Sequence, residues 1–278
     1  MMMVDDLVAD LSRRAGENRR KLIDVLYKTG GGHFGGSLSC IEILTVLYHA
    51  VLKVDPKNLR WEERDFFILS KGHANAGFST VLATRGFFDE ADLYTFNKAG
   101  SAFGMHPTYK IPGVEIPTGS LGHGLSIGVG IALALRMDKR KAKVYVLVGD
   151  GELHEGQIWE AVQAAASWRL DNLIAIVDRN RLSMDGPTEE VTIALEPVAD
   201  KWRSFNWSDK TIDGHDIRAL LEALNAAPFK PGRPSVIVAN TVKGKGISFM
   251  ENRANWHYGV LTKDAYEMAM GELSSAPK

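Results

Sequence analysis

The sequence predicts an α/β fold, with a doubly wound, mainly parallel sheet and helices on both of its faces. Four short runs consist of hydrophobic side chains, at residues 66–69, 144–148, 173–177 and 236–239. Such runs are typical of parallel strands that are buried on both faces. Segments with the 3.6-residue periodicity of helices separate them. Strands that alternate with helices favour a parallel sheet joined by right-handed crossovers.

Helical patterns fill much of the chain between these strands. Helices are expected at residues 5–28, 39–51, 125–135 and 157–168. The second of them is expected to start at Ser39, because Glu42 follows three residues later with the spacing of a capping box. The alternation of helices and strands continues over the whole sequence. We therefore expect a single domain that covers residues 1–278.

Composition and charge argue against several classes of function. The chain has 278 residues, with 33 Lys and Arg against 34 Asp and Glu, so its net charge of −1 offers no electrostatic attraction for nucleic acid or an anionic membrane. Its longest apolar stretch, residues 125–135, is too short to span a bilayer, which needs about 20 residues. The single cysteine, Cys40, rules out an internal disulfide framework. Acidic residues near the N-terminus, where a signal peptide would be basic, favour a cytoplasmic protein.

Polar or glycine-rich segments follow all four predicted strands. Ligands bind at the carboxyl ends of the strands in doubly wound sheets, so these segments are candidates for a functional site. The segments are Ser70-Lys71-Gly72-His73, Gly149-Asp150-Gly151-Glu152, Asp178-Arg179-Asn180 and Asn240-Thr241-Val242-Lys243-Gly244-Lys245-Gly246.

Asp150 and Asn180 follow two successive strands, and a single crossover can bring their side chains to the same edge of the sheet. A carboxylate and an amide oxygen are hard ligands that suit Mg²⁺, which completes its coordination with phosphate oxygens and water. Gly149 and Gly151 would let backbone N–H groups approach a phosphate closely. A lone Gly-Asp-Gly is more often a tight turn, so this pattern alone leaves both interpretations open.

Four histidines lie in glycine-rich or loop contexts, at positions 33, 73, 106 and 257. A single loop histidine is usually a surface or capping residue, but four in similar contexts favour a shared role. Their spacing, without supporting Cys or Glu, does not match a zinc site.

The order of these motifs resembles the amino-terminal, diphosphate-binding half of transketolase. The motifs are GGHFGGSLS, SKGHA, GMHP, PGVEIPTGSLGHGLSIGVGIALA, VGDGELHEGQIWEA, NLIAIVDRN and NTVKGKG. The segment from Gly149 to Asn180 also resembles the thiamine diphosphate signature. The sequence ends near residue 278, where a full-length transketolase would continue into a pyrimidine-binding domain. It therefore resembles the amino-terminal component of a split transketolase, for which a heterotetramer with two copies of each chain is expected.

The resemblance implies roles for individual residues. Asp150, Asn180 and the backbone carbonyl of Leu182 would ligate Mg²⁺. The other cofactor-binding residues would be His73, Gly119, Ser120, Leu121, Gly149, Gly151, Glu155 and His257. The catalytic residues would be His33, His106 and His257, with His33 and His106 facing the reactive carbon and the substrate. A split transketolase would have a companion subunit, a separate chain that carries the pyrimidine-binding half. Glu155 is also the better candidate, ahead of Glu160, for contact with this companion subunit.

The implied reaction is a two-carbon ketol transfer from a ketose phosphate to an aldose phosphate. The companion chain would carry the glutamate that activates the cofactor, so we expect this chain alone to be inactive and to expose apolar surface around the glycine loops and residues 125–135. Two alternatives stay open: a component of another thiamine diphosphate enzyme, such as a 1-deoxyxylulose-phosphate synthase or a 2-oxo-acid decarboxylating enzyme, and a non-catalytic paralogue. The sugar and pathway stay open, as do the roles of His123, His154, Lys243 and Lys245.

Overall fold

The computed structural model describes residues 4–191 and 195–275. Its centre is a parallel five-stranded sheet with the strand order β1-β2-β3-β5-β4. The strands are β1 (Phe66–Leu69), β2 (Val144–Gly149), β3 (Leu173–Arg179), β4 (Ser208–Asp213) and β5 (Ser235–Asn240). The predicted fold class is confirmed.

Helices cover both faces of the sheet. They are α1 (Val4–Lys28), α2 (Phe34–Leu38), α3 (Ile41–Val46), α4 (Asn75–Arg85), α5 (His123–Met137), α6 (Gly156–Ser167), α7 (Thr188–Val191), α8 (Val198–Ser204), α9 (Ile217–Ala226) and α10 (Lys263–Ser275). Helices α1, α3, α4 and α9 share one buried cluster with the sheet, and α5, α6 and α8 share another. Within the described residues, none of these helices has the length and the apolar character needed to cross a bilayer.

The central strands are buried on both faces, as their composition predicts. On β2, Tyr145 and Leu147 belong to the cluster on the α1 side, whereas Val144 and Val146 belong to the cluster on the α5 side. This alternation follows from the two-residue period of a strand. The sheet thus places the carboxyl ends of β2 and β3, which carry the candidate site, between two rigid layers.

The predicted helix at residues 39–51 is wrong at its start. Ser39 ends α2, and its hydroxyl donates a hydrogen bond of 2.6 Å to Asp178 Oδ2 instead of capping a helix. Helix α3 begins after Cys40, which provides no side-chain cap, and continues as one π-helical turn at Leu47–Val51. The carboxylate of Glu42 accepts hydrogen bonds from other elements of the fold, so no capping box forms.

Strand β4 was not predicted from the sequence. It reads Ser-Asp-Lys-Thr-Ile-Asp, lies at the edge of the sheet and pairs only with β5. Lys210 and Thr211 are exposed. An edge strand with exposed side chains lacks the apolar run that marks the inner strands, and charged residues there discourage pairing with other chains.

Candidate active site

A cavity of about 360 Å³ opens at the carboxyl ends of β2 and β3. Most of the residues that the sequence assigns to a cofactor line it, namely His73, Gly119, Leu121, Gly149, Asp150, Gly151, Glu155, Asn180, Leu182 and His257. Ser120 is exposed and does not line the cavity. His33 and His106 lie beside the cavity rather than in its wall.

Asp150 is almost fully buried, with 2% of its surface exposed. Its carboxylate accepts hydrogen bonds from the N–H groups of Gly151, at 2.8 Å, and Arg181. Burial, reinforced by the neighbouring Asp178, raises the pKa of Asp150 to about 7. Asn180 lies at the end of the next strand, where its Oδ1 accepts the N–H of Leu182 at 3.1 Å.

This donor set fits the predicted Mg²⁺ site. It offers a carboxylate oxygen, an amide oxygen and the backbone carbonyl of Leu182, all of them hard ligands. No group of three or more His, Cys, Asp or Glu side chains is arranged to hold a metal in the part of the chain that the structure describes. A metal held by Asp150, Asn180 and Leu182 would therefore depend on further oxygens, such as those of a diphosphate.

Lys243 is a buried cation at the wall of the cavity. Its Nζ donates hydrogen bonds to the carbonyl oxygens of Ser183, at 2.8 Å, and Leu182, at 3.0 Å, and lies 3.0 Å from His257 Nδ1. Burial, with a contribution from Lys71, lowers the pKa of Lys243 to about 8. The sequence left open whether this lysine is solvated, and the structure shows that it is not.

A second buried lysine, Lys71, also lines the cavity but has a counter-ion. Its Nζ forms an ion pair with Asp178 and donates a hydrogen bond of 2.8 Å to the carbonyl of Gly36. Asp178 also accepts hydrogen bonds from Ser39 and Thr241. The sequence places both charged residues at strand ends but does not predict their pairing.

The four histidines form one cluster around His33. Its ring centroid lies 5.3 Å from that of His257, 5.5 Å from that of His73 and 6.3 Å from that of His106. The rings of His73 and His257 are 5.0 Å apart. Burial lowers the pKa of His33 to about 4 and that of His257 to about 3, in both cases assisted by neighbouring cations or histidines. These two imidazoles are therefore neutral near pH 7.

Comparison with known proteins is consistent with this site. A model of the transketolase thiamine diphosphate-binding domain matches residues 12–277. The chain belongs to the transketolase family. This finding confirms the resemblance seen in the sequence and makes the protein a transferase with a thiamine diphosphate-binding domain.

Similar members of this family include proteins of about the same length as the chain and proteins more than twice as long. The A-type subunit of the apulose-4-phosphate transketolase of Phocaeicola vulgatus is 42% identical over 96% of this chain and 95% of that protein. The 6-deoxy-6-sulfo-D-fructose transketolase subunit SqwG of Clostridium sp. is 43% identical over 95% of this chain and 96% of that protein. The solved transketolase of Campylobacter jejuni superposes with a TM-score of 0.88 at 31% identity, over 95% of this chain but only 43% of its own length.

Glu152 is a site residue of this transketolase-family chain to which the sequence assigned no role. Its buried carboxylate accepts hydrogen bonds from the Ser70 hydroxyl and from the N–H groups of Gly122, at 2.8 Å, and Gly149, at 3.0 Å. It thereby joins three loops that surround the cavity. Its position directly after Gly149-Asp150-Gly151 was the available signal, but its partners become visible only in the fold.

Two histidines without a predicted role differ in their surroundings. His154 lines the cavity, and its Nε2 is buried with no hydrogen-bond partner among the described residues. His123 is exposed at the first turn of α5. Glu155, which lines the cavity, and Glu160, which does not, are also exposed.

Proposed function

We propose that the chain is the cofactor-diphosphate-binding component of a two-chain transketolase, which transfers a two-carbon ketol unit from a ketose phosphate to an aldose phosphate. One observation carries the proposal: the chain matches relatives that are single subunits over nearly their whole length. The cavity supports it, because most of the residues that the resemblance assigns to the cofactor line it. We infer that the companion chain supplies the pyrimidine-binding half. A cytoplasmic location stays a prediction.

The cavity suits the diphosphate end of the cofactor. Lys243 lines it as a cation held by backbone carbonyl oxygens, with no carboxylate partner in the part of the chain that the structure describes. Asp150, Asn180 and the Leu182 carbonyl would hold Mg²⁺ against the phosphate oxygens. The expected role of the backbone N–H groups is not seen, because those of Gly149 and Gly151 donate to Glu152 and Asp150. Both glycines nevertheless line the cavity without a side chain, which leaves room for a phosphate next to the backbone. His73 and His257, which line the same cavity, would act as neutral hydrogen-bond partners.

The histidine cluster suits the proton transfers of the reaction. Bound thiamine diphosphate supplies a nucleophilic carbon and an electron sink for cleaving the C2–C3 bond of a ketose. His33 and His257 are neutral near pH 7, so each can accept a hydrogen bond from a substrate hydroxyl. A proton could follow along this bond when bound anionic groups offset the neighbouring cations that lower both pKa values. His106, which is more exposed, would face the sugar from the other side of His33.

The outer surface of the chain suits a companion subunit. Helix α5 packs closely on β2 through Gly128, whereas Ile127 and Ile131 are only partly buried and Met137 is 75% exposed. Glu155 lies at the rim of the cavity, within reach of a second chain. We propose an assembly with two copies of each chain, in which symmetry yields two equivalent sites.

The decisive experiment mixes the purified chain with its companion. Neither chain alone should transfer a ketol unit, and the mixture should do so only with thiamine diphosphate and Mg²⁺. Analytical ultracentrifugation should show a heterotetramer. Full transfer by this chain alone would contradict the proposal.

The histidine roles have their own test in the mixture. His33→Ala and His106→Ala should reduce kcat by roughly 10²–10⁴, the usual contribution of general acid–base catalysis. His73→Ala should mainly raise the Kd for thiamine diphosphate, measured by calorimetry. His49→Ala is a suitable control, because His49 is partly buried far from the cluster in the π-helical turn after α3. Equal small effects at all four positions would contradict the assignment.

A further inference from the structure

An exposed aromatic side chain stands directly against the histidine cluster. The ring of Tyr258 meets that of His33 edge to face, with centroids 5.2 Å apart. Nevertheless, 48% of Tyr258 is exposed. The residue follows His257 in sequence but does not line the cavity that suits the diphosphate. It therefore flanks His33 outside that cavity.

The backbone that carries Tyr258 is held on both sides. After it, Gly259 and Gly32 exchange two hydrogen bonds of 3.0 Å across an antiparallel bridge. Before it, Trp256 packs edge to face on Phe34, with ring centroids 5.8 Å apart. The approach at the bridge is close, because a Cβ atom at Gly31 would lie 2.2 Å from the Gly259 carbonyl oxygen.

A large exposed aromatic ring on such a fixed segment is suited to contact with a ligand. Water gains little from contact with the ring, and the segment that carries it is held on both sides, so a ligand that packs against the ring would cover this apolar surface. The C–H faces of a sugar chain pack well on an aromatic face. The buried cations Lys71 and Lys243 lie on the cavity side of the cluster, so the side of Tyr258 suits a neutral part of the substrate.

We propose that Tyr258 is a specificity-determining residue, whose ring packs against the carbon chain of the sugar beyond the bond that is cleaved. The inference rests on the proposed transketolase function. The ring would form one wall of the substrate channel beside His33. The hydroxyl group has no hydrogen-bond partner among the described residues, so the aromatic face carries the contact.

The test compares two ketol donors in the mixture of this chain with its companion. One donor is a pentulose 5-phosphate, and the other is hydroxypyruvate, which has the same ketol group but no sugar chain and loses its carboxyl group as CO₂. Tyr258→Ala should lower kcat/KM for the pentulose phosphate by roughly tenfold, the effect of losing about 1.4 kcal/mol of contact. The same variant should change kcat/KM for hydroxypyruvate by less than about twofold, because this donor has no sugar chain to pack on the ring.

Two further variants separate the ring from its hydroxyl and from general surface effects. Tyr258→Phe should behave like the unmodified chain with both donors. Tyr109→Ala removes another strongly exposed tyrosine, 70% accessible, and should affect neither donor. Thiamine diphosphate affinity should stay unchanged in all three variants.

The outcomes distinguish the inference from the function on which it rests. Equal losses with both donors, or a loss in Tyr258→Phe as large as in Tyr258→Ala, would overturn the inference. A weaker association with the companion chain and an unchanged donor ratio would show that Tyr258 is an interface residue, which also overturns it. If the unmodified mixture transfers no ketol unit from either donor, the proposed function itself fails.

Discussion

Two buried lysines lie at the same edge of the sheet and are held in opposite ways. Lys71 faces Asp178. Burial lowers the pKa of Lys71, but the charge and hydrogen bond of Asp178, together with Cys40 and Asp150, outweigh burial and raise it. Among the described residues, Lys243 has only carbonyl oxygens and His257 as partners, and burial lowers its pKa to about 8. A cation with its own carboxylate belongs to the scaffold, whereas a buried cation without one is available for an anionic ligand. We therefore expect Lys71 to stabilise the fold and Lys243 to bind the cofactor.

The largest expected effect concerns stability. Lys71→Met would leave Asp178 buried without its counter-ion, so the free energy of unfolding should fall by about 3–5 kcal/mol, as for other broken buried pairs. Lys243→Met removes a cation that lacks a carboxylate and should leave stability unchanged or slightly higher. Urea unfolding monitored by tryptophan fluorescence measures both. A loss in Lys243→Met as large as that in Lys71→Met would contradict the comparison.

Cofactor affinity should show the reverse order. Charge-assisted hydrogen bonds contribute about 1.5–3 kcal/mol, so Lys243→Met should weaken thiamine diphosphate binding by roughly 10- to 100-fold in the mixture with the companion. Lys245→Met is the matched control, since Lys245 lies two residues away and is partly exposed. Calorimetry measures both, and equal affinities in the two variants would remove Lys243 from the site.

A third test concerns the proposed metal ligands, Asp150 and Asn180. Asp150→Ala and Asn180→Ala should abolish the dependence of cofactor binding on Mg²⁺ while the fold stays intact, because neither side chain belongs to an apolar cluster. Calorimetry with and without Mg²⁺, together with circular dichroism, tests this. A folded variant with normal Mg²⁺-dependent binding would contradict the assignment.

The smallest expected effect is on His257. Burial, and then the charge of Lys243, holds its pKa at about 3. Its folded pKa therefore lies below the unfolded value of about 6.5, so protonation favours the unfolded chain and stability falls as the pH drops from about 6.5 towards 3. Lys243→Met should raise the pKa of His257 and so narrow the pH range over which its protonation lowers stability. Histidine resonances in NMR titrations measure the shift, and an unchanged pKa would show that the lysine charge does not reach the ring.

The sequence predicts the inner strands, and most of the strand-end residues that it singles out line one cavity, because both depend on local patterns. Buried strands need continuous apolar runs, and strand ends of a parallel sheet must meet at one edge. The start of the second helix is wrong because the Ser39 hydroxyl is used by Asp178, a contact between residues far apart in sequence. The burial of Lys243 stays open in the sequence for a related reason, since a glycine-rich loop is compatible with solvent and only the fold places the lysine against Ser183.

The bridge between Gly32 and Gly259 can form only late in the synthesis of the chain. Most of the sequence separates the two residues of the bridge. At about 5–20 residues per second, a ribosome needs roughly 10–45 s to make the segment between them. Strands β1 to β3 emerge well within that interval, so the sheet edge with Asp150 and Asn180 can exist before His257 and Tyr258 arrive. The nascent chain would thus hold Asp150 and Asn180 at the sheet edge before Lys243 and His257 complete the wall of the cavity.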